Sequence, residues 1–443
     1  MRKKLTLLFL TFVMSLAFTP SVFAAPAGWK EVSTASRLKA ALNDATTTQV
    51  ILTANIEVPK DGIIINQNKP SLVIDGDGFT LTDYSKTTTS GHTIRLMNSG
   101  KLKEITVQNL NVVGYNDSGF IYIKNSSSVK NVTMIYDNVT YTGPQALENR
   151  HGHARFINCD INIIPVDGHH GEEVAEAINI TLEGDINITK STPKNRCEVF
   201  RVMNDNNNGR GGITVARGAH VVVSSSEDNA KVKSSGFVHF TGNSNYLIFE
   251  EDSYFSFDGN NIFAQRNAVN DLQIKENAQV YISTTGDMYA NQGLITVDGR
   301  MVVEEGSTLR VIAMRNTEKQ GVLALKGKAD TVTFNSPNEV FIYNSSSQKS
   351  NDGLAIEGDG TGAHTINFNN VRSIEYWLKN KSDYLNLPQP TKIWANDDGA
   401  SYNARIIISK EKIKSASCDN YNGTAPFNAN NAAIEDINVI RLQ

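Results

Sequence analysis

Beyond Asn43 the chain is a succession of four- to six-residue runs of Val, Ile, Leu, Phe and Thr, separated by clusters of Asn, Asp, Gly and Ser. Runs of that length and composition predict strands, and the clusters between them predict turns. One unit recurs on fixed offsets. Ile213–Val223 reads ITVARGAHVVV, with apolar residues at Ile213, Val215, Val221 and Val223 and a small residue at Ala219. Leu247–Phe257, Leu272–Ile282, Met301–Val311 and Val332–Ile342 keep those offsets, with Ser253, Ala278, Ser307 and Asn338 in the small position. Alternate residues of a strand face the same way, so the first pair and the last pair of apolar residues line one interior. The residue before the small one is Gly218, Asp252, Asn277 or Gly306 in four of the five copies. These types tolerate a left-handed backbone, which predicts a sharp corner there.

Successive copies start 34, 25, 29 and 31 residues apart, so loops of variable length are inserted between strands that stay in register. A solenoid accepts this, because each turn needs only to stack on its neighbours. Earlier strand pairs fit the same scheme: Ser71–Thr82, Glu104–Val113, Val129–Tyr141, Ala154–Ile164 and Ile178–Ile188. An antiparallel sandwich is the rival, but it favours two-residue hairpins, and Asn208-Gly209 and Asn422-Gly423 are not flanked by alternating strands. The expected fold is all-β, a right-handed single-stranded parallel β-helix. A short helix over Ser33–Asn43, with Ser33 or Thr34 as N-cap and Leu38, Ala41 and Leu42 on one face, precedes a first strand at Gln49–Val58. It is placed to cover the open N-terminal edge. The expected boundaries are a capping segment over 25–48, the β-helix over 49–378 and an irregular C-terminal cap over 379–443. Leu385–Pro390, Arg405–Ser409 and Ile434–Leu442 are assigned to that cap.

Residues 1–24 look like a secretory leader. Arg2, Lys3 and Lys4 precede an apolar run from Leu5 to about Phe18, and Val22-Phe23-Ala24 offers a cleavage site before Ala25. The apolar run is too short to span a bilayer, and no later segment reaches that length. Forty-two basic against 46 acidic residues leave a net charge of −4, which excludes a basic field for nucleic acid or an anionic membrane. Cys159, Cys197 and Cys418 are too few for a disulfide scaffold. They are expected as small buried hydrophobes; the spacing permits a Cys159–Cys197 bridge without indicating one.

The opening WKEVSTASRLKAALNDATTTQVILTANIEV, the rung VIDGDGFTLT, the stretch ITVQNLNVVG and above all YDNVTYTGPQ (Tyr136–Gln145) resemble the pectate-lyase-like adhesive domain of Gram-positive surface proteins. The resemblance runs over most of residues 29 to about 345. It implies a secreted right-handed β-helix used for surface attachment. The chain ends Ile440-Arg441-Leu442-Gln443 with no LPxTG-like sortase motif, so secretion is expected at least as much as wall anchoring.

Enzyme chemistry finds little purchase. A calcium-dependent pectate lyase would need acidic calcium ligands and a basic residue to take a proton. A glycan hydrolase would need paired carboxylates across the scissile bond. The WIDH, RxPxxR, NTD, GHG and RIK motifs of the corresponding families do not occur, and Asp397-Asp398 falls in the expected cap. His151, His153, His169 and His170, with Glu172 and Glu173, crowd into one polar segment that could supply metal ligands but is expected to be a solvated loop. Asp75-Gly76-Asp77-Gly78 and Glu357–Gly362 are expected to be corners rather than calcium or phosphate sites. Asn204–Gly212 is expected to be an inserted loop in which Arg210 could touch an acidic glycan. Tyr141, Tyr246, Tyr254, Tyr281 and Phe341 lie at outward positions or rung ends and are the aromatic candidates for glycan contact, against a structural role as half-buried strand residues.

No catalytic, cofactor or metal residue is therefore assigned. The expected function is a non-catalytic secreted or surface-associated adhesion module with a host matrix protein or complex glycan as partner. The alternatives are a divergent lyase or hydrolase acting on acidic polysaccharide, and a structural spacer.

Overall fold

The computed structural model describes residues 27–84, 93–126, 129–166, 171–191, 198–205, 209–226, 236–259, 261–263, 268–284, 293–314, 321–344, 355–358, 362–378, 389–396, 398–409, 412–418 and 437–443. The leader and its cleavage point between Ala24 and Ala25 lie outside them. Among the described residues there are thirty-five strands and one helix. None of these helical residues forms a segment long and apolar enough to cross a membrane.

Strand pairing is parallel through most of the chain and runs in three series. The first series starts with Lys30–Val32 beside Gln49–Leu52 and passes through Ser71–Asp75, Glu104–Val113 and Thr133–Gly143 to His364–Val371. One inward row of it reads Val50, Ile74, Val107, Tyr136, Phe156, Leu182, Val215, Phe249, Ile274, Val303, Phe334 and Phe368, each opposite the next and all buried. This uninterrupted apolar row is the spine of the core.

The second series holds the second strand of each repeating unit: Asp185–Ser191, His220–Ser226, Tyr254–Gly259, Gln279–Thr284, Thr308–Ala313 and Glu339–Asn344 stack in parallel. The third series was not part of the sequence unit. It contains 175–177, Phe200–Val202 and Gly236–Phe240, and further along 295–297, Leu323–Leu325 and Ile356–Gly358. These strands are too short to establish a period-two alternation, and Leu323–Leu325 is buried on both faces.

The corners between first and second series are left-handed where the sequence predicts it. Gly218, Asp252, Asn277 and Gly306 have φ of 67°, 58°, 57° and 68°. In the fifth copy Pro337 occupies that position, and its ring cannot adopt positive φ, so the corner moves to Ser336 at 46°. Each corner amide donates to a carbonyl of the next turn: Gly218 N to Glu251 O at 3.0 Å, Asp252 N to Glu276 O at 3.1 Å, Asn277 N to Glu305 O at 3.0 Å. The corners are thus hydrogen-bonded columns in their own right.

The helix spans Ala35–Asn43, capped by Thr34, whose hydroxyl accepts from Arg37 N at 3.3 Å; Leu38, Ala41 and Leu42 are its buried face. A strand, Lys30–Val32, precedes it, and the expected first strand divides into Gln49–Leu52 and Ile56–Glu57. Fully buried Lys69 donates to the carbonyls of Leu42 at 3.1 Å and Thr47 at 2.7 Å, fastening the C-terminal end of the helix to the strands.

Toward the C-terminus the pairing changes direction. Tyr402–Ser409 lies antiparallel to His364–Val371, and Lys412–Cys418 antiparallel to that. Ile437–Leu442 lies antiparallel between Glu339–Asn344 and Ser373–Leu378, with Lys392–Ala395 antiparallel on the far side of the latter. The segment expected to be irregular therefore contributes regular strands; residues 385–388 and 434–436 lie outside the described ones.

Candidate functional site

The third series carries an outward row of ionisable groups. Glu148 lies opposite Glu176, Glu176 opposite Arg201, and Arg201 opposite His239. Neighbouring strands are about 4.8 Å apart, so the four side chains form a ladder. Glu173 and Glu198 join it from just before their strands. Arg150 Nε lies 2.9 Å from Glu148 Oε1 and 2.5 Å from Glu176 Oε2. Arg201 Nη1 is held more loosely, 3.8 Å from both Glu173 and Glu176, and its Nε is buried without a hydrogen-bond partner. Lys190, on the inner side, donates to the Glu198 carbonyl at 3.0 Å, and His239 Nδ1 lies 3.8 Å from Glu198 Oε2.

Depth separates the charges. The carboxylate side chains are between 4 and 9 % exposed, whereas Arg150 and Arg201 keep 30 and 34 %. Burial dominates the carboxyl chemistry. It pushes Glu148 up to about 7, with Arg150 opposing it, Glu173 to about 8, with Glu176 adding to it, and Glu198 to about 7. Burial and the Arg201 charge pull His239 down to about 4, so its ring is neutral at pH 7. Two guanidiniums thus stand over four carboxyls, three of which take up protons near pH 7, and Lys190 lies beneath them. The exposed part of the ladder is guanidinium.

The histidines singled out in the sequence do not converge. His151 Nε2 meets Asn125 Oδ1 at 3.0 Å, and His153 Nδ1 meets Asn179 Nδ2 at 3.1 Å on the outer face of the first series. His169 and His170 lie outside the described residues. Among the described residues no group of three or more His, Cys, Asp or Glu is placed to hold a metal ion. Glu173 belongs to the ladder instead.

Asp75 accepts from Asp77 N at 2.9 Å and Gln108 Nε2 at 2.6 Å, which is corner chemistry. Glu357 accepts from Gly321 N at 2.8 Å, and Asp398 from Ala400 N at 2.9 Å; residues 359–361 and Asp397 lie outside the described ones. Arg210 is not free for a ligand. It pairs with Asp271 and lies 4.9 Å over the Tyr246 ring. Cys159 is buried and Cys418 half-buried, both as free thiols; Cys197 lies outside the described residues.

Two aromatic candidates are corrected. Tyr141 is fully buried and Phe341 is 3 % exposed. Phe341 packs with Tyr343, Trp377 and Val439, a cluster the sequence unit did not contain. Tyr141 points inward because its hydroxyl is satisfied locally, donating to the Gln145 carbonyl and accepting from Gln145 N. Tyr136 does the same, donating to Ala146 O at 2.9 Å. Between them the two tyrosines of YDNVTYTGPQ close the turn that leads to Glu148. Nearby, buried Asp83 accepts from Tyr115 N at 3.2 Å and from Thr93, and burial raises it to about 7.

The ladder was missed in the sequence because its facing positions lie 25 to 38 residues apart, on strand segments too short to show a period. The available signal was the run of glutamates flanked by small apolar residues, as in Glu173-Val174-Ala175-Glu176-Ala177.

The part of the chain that ends on the first ladder residue has recognisable relatives. Residues 29–148 match the family model described as "Putative pectate lyase-like adhesive domain". That is the family the sequence resembles, and the match includes YDNVTYTGPQ. The ladder beyond Glu148 lies outside it. Two solved structures are similar in part: L. reuteri 53608 SRRP, at 18% identity and a TM-score of 0.35, covering 69% of this chain and 99% of that one; and L. reuters 100-23 SRRP, at 13% identity and a TM-score of 0.40, covering 78% of this chain and 99% of that one. No curated protein matches the chain significantly.

Proposed function

We propose that this protein is a non-catalytic adhesion module, exported by its N-terminal leader over residues 1–24, whose ladder binds an acidic glycan at the cell surface or outside the cell. In this reading the three series coil as a right-handed single-stranded parallel β-helix over 49–378, and 379–443 close its C-terminal end. The family match over residues 29–148 supports an adhesive role. The observation that carries the ligand class is the depth ordering of the ladder: arginines at the surface, protonatable carboxyls beneath. A glycan carboxylate or sulfate would meet guanidinium without confronting an ionised glutamate. Arg201 is the residue best placed to serve it, because its nearest carboxylates are beyond hydrogen-bond length.

The test is binding of polygalacturonate and chondroitin sulfate to immobilised mature protein at pH 6, beside a host matrix panel. Binding that weakens at least about tenfold in Arg201→Ala supports the reading, since a charge-assisted bidentate contact contributes that much. A flat response to both polymers ends it, and would leave the spacer.

One observation favours a second reading. Carboxyls held near pH 7 to 8 are what proton transfer at neutral pH requires, as in a divergent lyase. Against it stands their depth, which keeps them from a substrate. We expect no unsaturated, UV-absorbing product from polygalacturonate with or without calcium; its appearance would install the enzyme reading instead.

A further inference from the structure

The outer face of the second series carries a different kind of surface. Val222, Ser256, Tyr281 and Arg310 lie opposite one another on successive strands, flanked by Ser224, Asp258 and Ser283 in the next outward row. They line a cavity of about 410 Å³. Tyr281 stands 5.5 Å from Tyr254, whose ring is stacked on His220 at 4.5 Å. The next strand closes the trough, because Arg310 lies 5.1 Å over the Phe341 ring and 3.8 Å from Glu339.

We propose that this trough is a subsite for a neutral saccharide, separate from the ladder. The walls combine an aromatic ring and Val222 with the hydroxyls of Ser224, Ser256 and Ser283, and a sugar ring likewise has an apolar C–H face and a hydroxyl rim. Asp258, which accepts from Ser283 Oγ at 3.0 Å, and Glu339, beside Arg310, are two acids against one base, so no excess positive charge selects an acidic ligand as the ladder does. The strand spacing of about 4.8 Å approximates the length of one sugar unit, so a chain lying along the stack would offer one unit per strand. An extended peptide is a poorer occupant. Peptides that add to sheets need an unpaired edge, and these strands are hydrogen-bonded to neighbours on both sides. An amphipathic helix needs a longer apolar groove than this one.

The proposal goes beyond the acidic-glycan reading and fails independently of it. The probes are mannohexaose, galactotetraose and cellohexaose, titrated calorimetrically into the mature protein, with polygalacturonate run in parallel. At least one neutral probe is expected to bind, with affinity reduced at least about fivefold in Tyr281→Ala, the scale of one lost ring contact, and reduced in Asp258→Asn. Arg201→Ala is expected to leave neutral binding unchanged while weakening polygalacturonate. Both trough residues face outward, and an unchanged thermal midpoint would show the variants folded. Absence of binding by all three neutral probes overturns the proposal, as does neutral binding that survives both trough substitutions.

Discussion

The Tyr141 hydroxyl donates to the carbonyl of Gln145 and accepts from the amide of that same residue at 3.2 Å. One side chain therefore satisfies both backbone groups of the residue that ends YDNVTYTGPQ. The ring is accommodated by two glycines: a Cβ at Gly143 would lie 2.6 Å from the Tyr141 hydroxyl and 2.6 Å from Gly114 O.

Tyr141→Phe is expected to cost about 1–3 kcal/mol, because it strands buried backbone groups rather than merely deleting a hydroxyl. Gly143→Ala is expected to cost a similar amount through overpacking. Urea-unfolding midpoints of the two variants check this. A midpoint equal to wild type for Tyr141→Phe would mean that water replaces the hydroxyl.

Stability should fall as pH rises from about 6.5 to 8. Asp83, Glu148, Glu173 and Glu198 have folded-state values of about 7, 7, 8 and 7, above their unfolded ones. Between the two the folded chain binds more protons than the unfolded one, so raising pH favours unfolding. His239, lowered to about 4, has the opposite sign, but only below its unfolded value of 6.5. Lys69, lowered to about 8, opposes the carboxyls only from there upward. In the window between, the carboxyls act alone. A thermal midpoint that declines across this window in wild type and declines less in Glu173→Gln is the expected result; a level profile would contradict it.

The corners allow a graded comparison. Gly218 has nothing within 4 Å of an added Cβ, so Gly218→Ala should cost only the left-handed strain of about 1 kcal/mol. Gly184 also has positive φ, 64°, but its Cβ would collide with Asn158 Oδ1, which accepts from Asp185 N at 3.0 Å. Gly184→Ala should therefore be the more damaging. Equal losses in unfolding midpoint would show that the Asn158 contact moves aside freely.

The two template strands and their corners were legible because inward and outward residues alternate with period two, and because Gly218, Asp252, Asn277 and Gly306 announce positive φ by type. The third series was not, because strands such as Phe200–Val202 are too short to show a period and Val322 to Leu325 are buried on both sides. The ladder followed it into obscurity: register across 28 or 38 residues decides that Glu176 faces Glu148 and that His239 faces Arg201. Phe341 shows the converse failure. Its outward parity was read correctly, but its burial comes from Trp377 and Val439, which arrive from elsewhere in the chain.

The antiparallel strand Ile437–Leu442 has a bearing on timing. Among the described residues it is what joins Glu339–Asn344 to Ser373–Leu378. Those two strands are made first, yet they cannot be bridged until residues 437–442 have been synthesised and carried across. Folding of this end must therefore wait for residues 437–442, while the turns before it can stack as they emerge. Until residues 437–442 arrive, Glu339–Asn344 and Ser373–Leu378 lack the neighbour that joins them.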